Sequence, residues 1–209
     1  MSKKILMAAA LSFLSLFAIA EDKWVEGVHY KTLVTPLPTS YSGDEVGEIM
    51  EFFSYGCIHC ANLEPAAQAF KSSLPDTIRF SPVPVMFNER QSAEVKAYYS
   101  AVLLKVGDEA HQGIFNEFHV ARKPLRTDKA FAKFFTRYGV SEDDYLAMAN
   151  SFGVAGKVNQ SIQLTGNSGI QGTPAIMANG KYLIDSGAVG GNNVALEVAK
   201  WLVERDAQQ

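Results

Sequence analysis

The chain contains only two cysteines, Cys57 and Cys60, three positions apart in the stretch Glu48 to Asn62, E-I-M-E-F-F-S-Y-G-C-I-H-C-A-N. Ile49, Met50, Phe52 and Phe53 form an apolar, aromatic run that reads as a buried strand. Ser54, Tyr55 and Gly56 end it at the edge of a predicted helix. Cysteines with this spacing at a strand-to-helix junction can close a small disulfide ring, and the first sits where unpaired backbone N–H groups and the helix dipole favour a thiolate. The pair reads as a redox site. A purely structural staple explains it poorly, because so small a ring removes little unfolded-state entropy compared with one closing a long loop. A zinc module needs four ligands, and Cys57, His59 and Cys60 have no second clustered pair. Covalent haem needs C-x-x-C-H, and position 61 is alanine. No metal and no cofactor beyond the Cys57–Cys60 disulfide is expected.

The start of the chain predicts the compartment in which those thiols work. Met1 to Ala20 carries Lys3 and Lys4, an apolar stretch from Ile5 to Phe17 and the small-x-small pattern Ala18-Ile19-Ala20, which is the layout of a cleaved secretory signal. The apolar run is short of the roughly 20 residues a membrane-spanning helix needs. Of the 209 residues, removal of the first 20 leaves 189, enough for one domain or for a small domain with a large insertion. It also removes two lysines and no acid, so the formal charge of −3 becomes −5. Mild acidity without a basic stripe argues against nucleic acid as a partner.

Along the chain, weak alternation predicts a first strand near His29 to Leu33, and the Pro/Ser/Gly-rich segment Thr35 to Asp44 a loop. The strand Glu48 to Phe53 is followed by a helix from about Cys57 to Leu74 that Pro65 should kink. Ile78 to Val85 is the next strand, where Pro82 and Pro84 require either an edge position or N–H positions that point away from the ladder. Helical spacing then dominates to about Thr165: Ala93 to Val106, stopped by Gly107, Asp108 to His119, Asp128 to Tyr138, a short helix opened by Ser141-Glu142-Asp143-Asp144, and Val154 to Leu164. The aromatics in these segments read as core, and His29, His111 and His119 as ordinary histidines. Ala175 to Ala178, Asn179-Gly180 and Tyr182 to Ile184 predict a hairpin, and Val194 to Val203 a closing amphipathic helix.

Phe52-Phe53-Ser54-Tyr55-Gly56-Cys57-Ile58-His59-Cys60, with Gly172-Thr173-Pro174-Ala175 far downstream, resembles the active-site segments of the thioredoxin superfamily, and specifically of the DsbA family of bacterial periplasmic disulfide oxidoreductases. The likeness runs from about Trp24 to the C-terminus. It implies an α/β thioredoxin fold with a helical domain inserted between the strand-helix-strand unit and the C-terminal hairpin and helix. The corresponding parts are 1–20 signal peptide, 21–87 first thioredoxin-like part, 88–165 helical insertion and 166–209 second thioredoxin-like part. The resemblance further implies an enzyme of oxidative protein folding, a monomer that donates its disulfide to reduced exported polypeptides in the periplasm and is reoxidised by an inner-membrane, quinone-linked DsbB-like protein.

By the same resemblance, Cys57 exchanges with substrate, Cys60 resolves, His59 stabilises the Cys57 thiolate, and a buried Glu51 helps move the proton of Cys60. Pro174 is cis and packs against Cys57, while the Thr173 backbone, with Ile58 beside it, receives the substrate chain. The family's pattern carries a lysine in the strand after the active-site helix; none lies between Arg79 and Val85, which leaves Glu51 without that partner. A disulfide isomerase or reductase is the alternative within redox chemistry, although the short segment Glu21 to Thr35 leaves no room for the dimerisation domain of related isomerases. A non-redox periplasmic holdase is the alternative outside it, and its function would survive loss of both cysteines.

Overall fold

Every residue of the strand Gly47–Phe53 is buried, so both of its faces are covered, and this is why its sequence reads as a nearly continuous apolar run. The computed structural model describes residues 23–209, and the expected signal segment lies outside them. In chain order the elements are β1 (Tyr30–Thr32), β2 (Gly47–Phe53), α1 (Ile58–Ser73) and β3 (Ile78–Pro84), then the helices α2 (Ser92–Leu103), α3 (Gly107–His119), α4 (Asp128–Phe135), α5 (Glu142–Ala149) and α6 (Phe152–Asn167). A hairpin, β4 (Ala175–Ala178) and β5 (Tyr182–Ile184), and a last helix, α7 (Asn192–Asp206), complete the chain.

The five strands form one sheet in the order β1-β5-β4-β2-β3. β2 and β3 are parallel, from Gly47 opposite Ile78 to Phe53 opposite Pro84, and the remaining pairs are antiparallel. β3 is therefore an edge strand, as its prolines require. The Val85 N–H donates to the Phe53 carbonyl at 2.8 Å, so the alternate positions 82 and 84 face the open edge, where no ladder donor is needed. Pro65 lies inside α1, which continues as one element to Ser73.

The hairpin turns on Asn179 and Gly180, both with positive φ (52° and 62°), closed by Lys181 N–H to the Ala178 carbonyl at 2.9 Å. That is the turn whose twist matches paired strands. A Cβ on Gly180 would lie 2.5 Å from the Leu37 carbonyl oxygen, so glycine is required twice over there. One expectation is corrected: α2 ends at Leu103, Lys105 takes a positive φ of 61° to turn the chain, and Gly107 opens α3 instead of stopping α2.

Alternation along β2 sorts its side chains between layers. Met50 and Phe52 point to one face, where they pack with Val83, Met177 and Leu164 of α6. Ile49 points to the other, into a core with Leu63 and Phe70 of α1 and Leu202 and Val203 of α7. Phe53, on that same face, joins Tyr55 and Cys60 in a third cluster with Ile114 and Phe115 of α3, Phe131 and Phe135 of α4 and Tyr145 of α5. The inserted helices thus share a core with the active-site turn. Phe131 and Phe135 are fully buried, and burial of each such side chain contributes about 1.5 to 3 kcal/mol.

Candidate active site

Cys57 is the N-cap of α1, with extended backbone (φ −92°, ψ 115°), and no acidic residue occupies the first turn. The positive end of the helix is left for the sulfur to face. The turn that delivers it is fixed by the Cys57 N–H donating to the Ser54 carbonyl at 3.0 Å and the Gly56 N–H to Ser54 Oγ at 3.3 Å. Burial works against a charge on the half-buried Cys57 sulfur. Hydrogen bonding with the Thr173 side chain and with the main chain and thiol of Cys60, together with the His59 backbone N–H, outweighs that and holds the thiol below its ordinary range. Thr173 and Pro174 are joined by a cis peptide bond, and the Cys57 thiol donates to the Thr173 carbonyl at 3.2 Å. The two segments that resemble the family's motifs, 116 residues apart in the chain, meet at this contact.

Cys60 is fully buried one turn further along α1, and burial pushes its thiol well above the ordinary value. Both thiols are free. The two sulfurs therefore differ in the way exchange chemistry needs: one accessible and easily ionised, the other enclosed and reluctant to ionise. Glu51 is 2% exposed and shares the face of β2 with Ile49 and Phe53, under α1. Burial, and secondarily the nearby Glu64, raise its carboxyl to about 8. No hydrogen bond to that carboxylate is found among the described residues.

The family described as the DSBA-like thioredoxin domain matches residues 67–196, well over half of the chain. The chain belongs to this DsbA-like family. The matched span begins after Cys60, so the cysteine motif is an observation independent of it. The thiol:disulfide interchange protein DsbA of Azotobacter vinelandii is 30% identical, with 98% of each chain covered. That of Pseudomonas aeruginosa strain PAO1 is 29% identical, with 98% of this chain and 97% of that protein covered. A crystal structure of Pseudomonas aeruginosa DsbA, 28% identical, superposes with a TM-score of 0.82 over 90% of this chain and 96% of that one.

In this DsbA-family chain the residues between the cysteines, Ile58 and His59, are both exposed, Ile58 at 48%. The contribution of His59 to the Cys57 thiol runs through its main-chain N–H, with the imidazole out in solvent.

Two histidines read from the sequence as ordinary prove to hold the active-site turn, which corrects that expectation. The buried Tyr55 hydroxyl and His111 Nδ1 share a hydrogen bond of 2.8 Å, and Nε2–H of the same ring donates to Glu64 at 3.1 Å. Gln68 Nε2 donates to the other Glu64 oxygen at 2.8 Å. Burial works against the Glu64 charge, but the His111 contacts and Gln68 outweigh it and hold its carboxyl below the usual range. His119 Nε2–H donates to the Tyr55 carbonyl at 2.8 Å. Tyr55 lies two residues before Cys57, so α3 grips the turn by both its side chain and its backbone. The sequence signal for this was present: His111, Phe115, Phe118 and His119 recur at spacings of four, seven and eight, which puts both histidines in the apolar stripe of α3. A polar residue in such a stripe needs a partner.

Proposed function

We propose that this chain is a protein thiol:disulfide oxidoreductase that donates its Cys57–Cys60 disulfide to reduced exported polypeptides in the periplasm. The observation that carries this reading is the asymmetry of the two sulfurs, accessible and low in pKa at Cys57, buried and high at Cys60, in a member of the DsbA-like family.

In the oxidised protein, a substrate thiolate attacks Cys57 Sγ, breaking the Cys57–Cys60 bond and forming a mixed disulfide. Cys60 leaves as a thiolate and takes up a proton. A second substrate thiolate then attacks the substrate sulfur of the mixed disulfide, and Cys57 leaves as a thiolate. Two electrons pass from the substrate dithiol to the cysteine pair, and the substrate gains a disulfide. A thiol held at low pKa is a good leaving group, so the second step and the overall transfer run toward the reduced protein.

Cys60 needs a proton exchange partner inside the protein, and Glu51, whose carboxyl titrates near neutrality in the layer under α1, is suited to it. Thr173 offers main-chain groups to an extended substrate chain in the manner of an added strand, with the exposed Ile58 as an apolar contact beside it. The His59 imidazole adds positive charge near Cys57 when protonated. The protein acts as a monomer, and a DsbB-like, quinone-linked membrane protein restores its disulfide.

Incubation of the oxidised protein with a reduced, unfolded two-cysteine substrate tests the reading. Stoichiometric appearance of the substrate disulfide with loss of the Cys57–Cys60 bond supports it. A substrate left fully reduced while the protein keeps its disulfide contradicts it.

A further inference from the structure

Cys57 and Thr173 also wall a cleft of about 370 Å³ on the side of the inserted helices, lined in addition by Arg90, Gln91, Glu94 and Arg126. Its charge is unbalanced. Glu94 is 5% exposed on its side chain and takes one Nη1 hydrogen bond from Arg126 at 3.3 Å, while the Arg126 side chain remains 60% exposed. Arg90 is exposed and has no ion-pair partner among the described residues. Two guanidinium groups therefore meet one carboxylate, and each planar guanidinium has five N–H donors that match a carboxylate two at a time. Gln91 adds an amide to the same wall.

Thr173 belongs as well to a larger cleft of about 590 Å³ on the hairpin side, where Lys31 and Asp185 balance one another. A polypeptide laid along Thr173 with its cysteine on Cys57 thus runs from a neutral cleft into a cationic one.

We infer that the cleft beside the inserted helices selects a substrate carrying Asp or Glu next to its reacting cysteine, with Arg90 and Arg126 as the groups that recognise the carboxylate. The inference rests on the disulfide-donor reading and adds to it a chemical preference for acidic flanking sequence. An exposed pair of this kind is screened by salt and modest in strength, so the expected discrimination is about fivefold in rate.

The test uses oxidised protein and reduced two-cysteine peptides in which both cysteines are flanked on the same side by Asp, Ser or Lys, with a second set flanked on the other side. A neighbouring cation lowers a peptide thiol's pKa and so favours the Lys peptides chemically, which means a preference for Asp has to come from the protein. The expected result is a second-order rate for Asp about five times that for Lys in one of the two sets at low salt. The ratio should shrink at 0.5 M salt (on the order of a 4 Å screening length) and invert in Arg90→Glu. Arg126→Gln should lower the ratio in the same set. Using the Asp/Lys ratio within each variant cancels any general change in activity. Equal rates for Asp and Lys in the wild type, or a ratio that neither variant alters, overturns the inference and leaves disulfide donation standing. Failure to oxidise any of the peptides overturns both.

Discussion

Replacing Glu51 by glutamine should make the reduced protein more stable at neutral pH. Glu51 is 2% exposed between two apolar clusters, and burial first, then the like charge of Glu64, raise its carboxyl from the ordinary 4.5 to about 8. An acid whose folded pKa lies above its unfolded value holds its proton more tightly in the native state. It costs nothing below the unfolded pKa, and it destabilises increasingly as pH rises, until the folded pKa is passed. Between 4.5 and 7 the cost reaches about 3 kcal/mol, and above 8 it levels at about 5 kcal/mol, at about 1.36 kcal/mol per unit. Glutamine keeps the shape and carries no charge at any of these pH values. Denaturant unfolding of both reduced proteins at pH 4, 7 and 9 should give a variant about equal to the wild type at pH 4, about 3 kcal/mol more stable at pH 7 and about 5 kcal/mol more stable at pH 9. The same variant should slow the steps in which Cys60 gains or loses a proton. A stability difference that is constant across pH, or a wild type that is the more stable at pH 7, would refute the assignment of a buried, unpaired carboxyl at this position.

Cys60→Ala should accumulate mixed disulfides through Cys57 on non-reducing gels while Cys57→Ala traps none, because only the accessible sulfur meets substrate; equal trapping by both contradicts the division of roles. His111→Ala should destabilise the protein by about 2 to 4 kcal/mol, since it leaves both the buried Tyr55 hydroxyl and one Glu64 oxygen without the ring they bond. Chemical denaturation reads that cost directly, and a loss under about 1 kcal/mol would mean that the chain of contacts holds nothing. Because folding depresses the Cys57 pKa, the stability it adds to the reduced form is complete above the unfolded thiol pKa and disappears as pH falls through the folded one. Paired thermal melts should accordingly show the reduced form losing ground to the oxidised form on acidification, and a gap that widens instead would contradict the sign.

Much of this was legible from local pattern. The run before Cys57, the turn at Ser54 to Gly56, the edge prolines and Asn179-Gly180 each state a backbone requirement within a few residues, and each sits where that requirement is met. The burial of Glu51 was implied only by the family resemblance, because a carboxylate in an apolar strand has a solvent side until both faces of β2 are seen to be covered. What stayed hidden depends on tertiary contact. His111 reaches Tyr55 across 56 residues and His119 reaches it across 64; the apolar stripe of α3 places both on its inward side, but nothing local names Tyr55 as their partner. Arg90, Glu94 and Arg126 come from separate elements and become one cleft only when the insertion packs against the active-site turn. The backbone N–H groups expected to favour the thiolate at the first turn of α1 include that of His59, which acts on the sulfur.

Equilibration of the Cys57–Cys60 couple with glutathione buffers measures directly whether the protein is built to give its disulfide away. At pH 7 and a poise of about −200 mV, near that of a compartment where disulfides form, the Cys57–Cys60 pair should be predominantly dithiol, because the ionised Cys57 stabilises the reduced state. A pair that remains predominantly disulfide in that buffer would mean the protein keeps its bond, and the donor function proposed for it would be wrong.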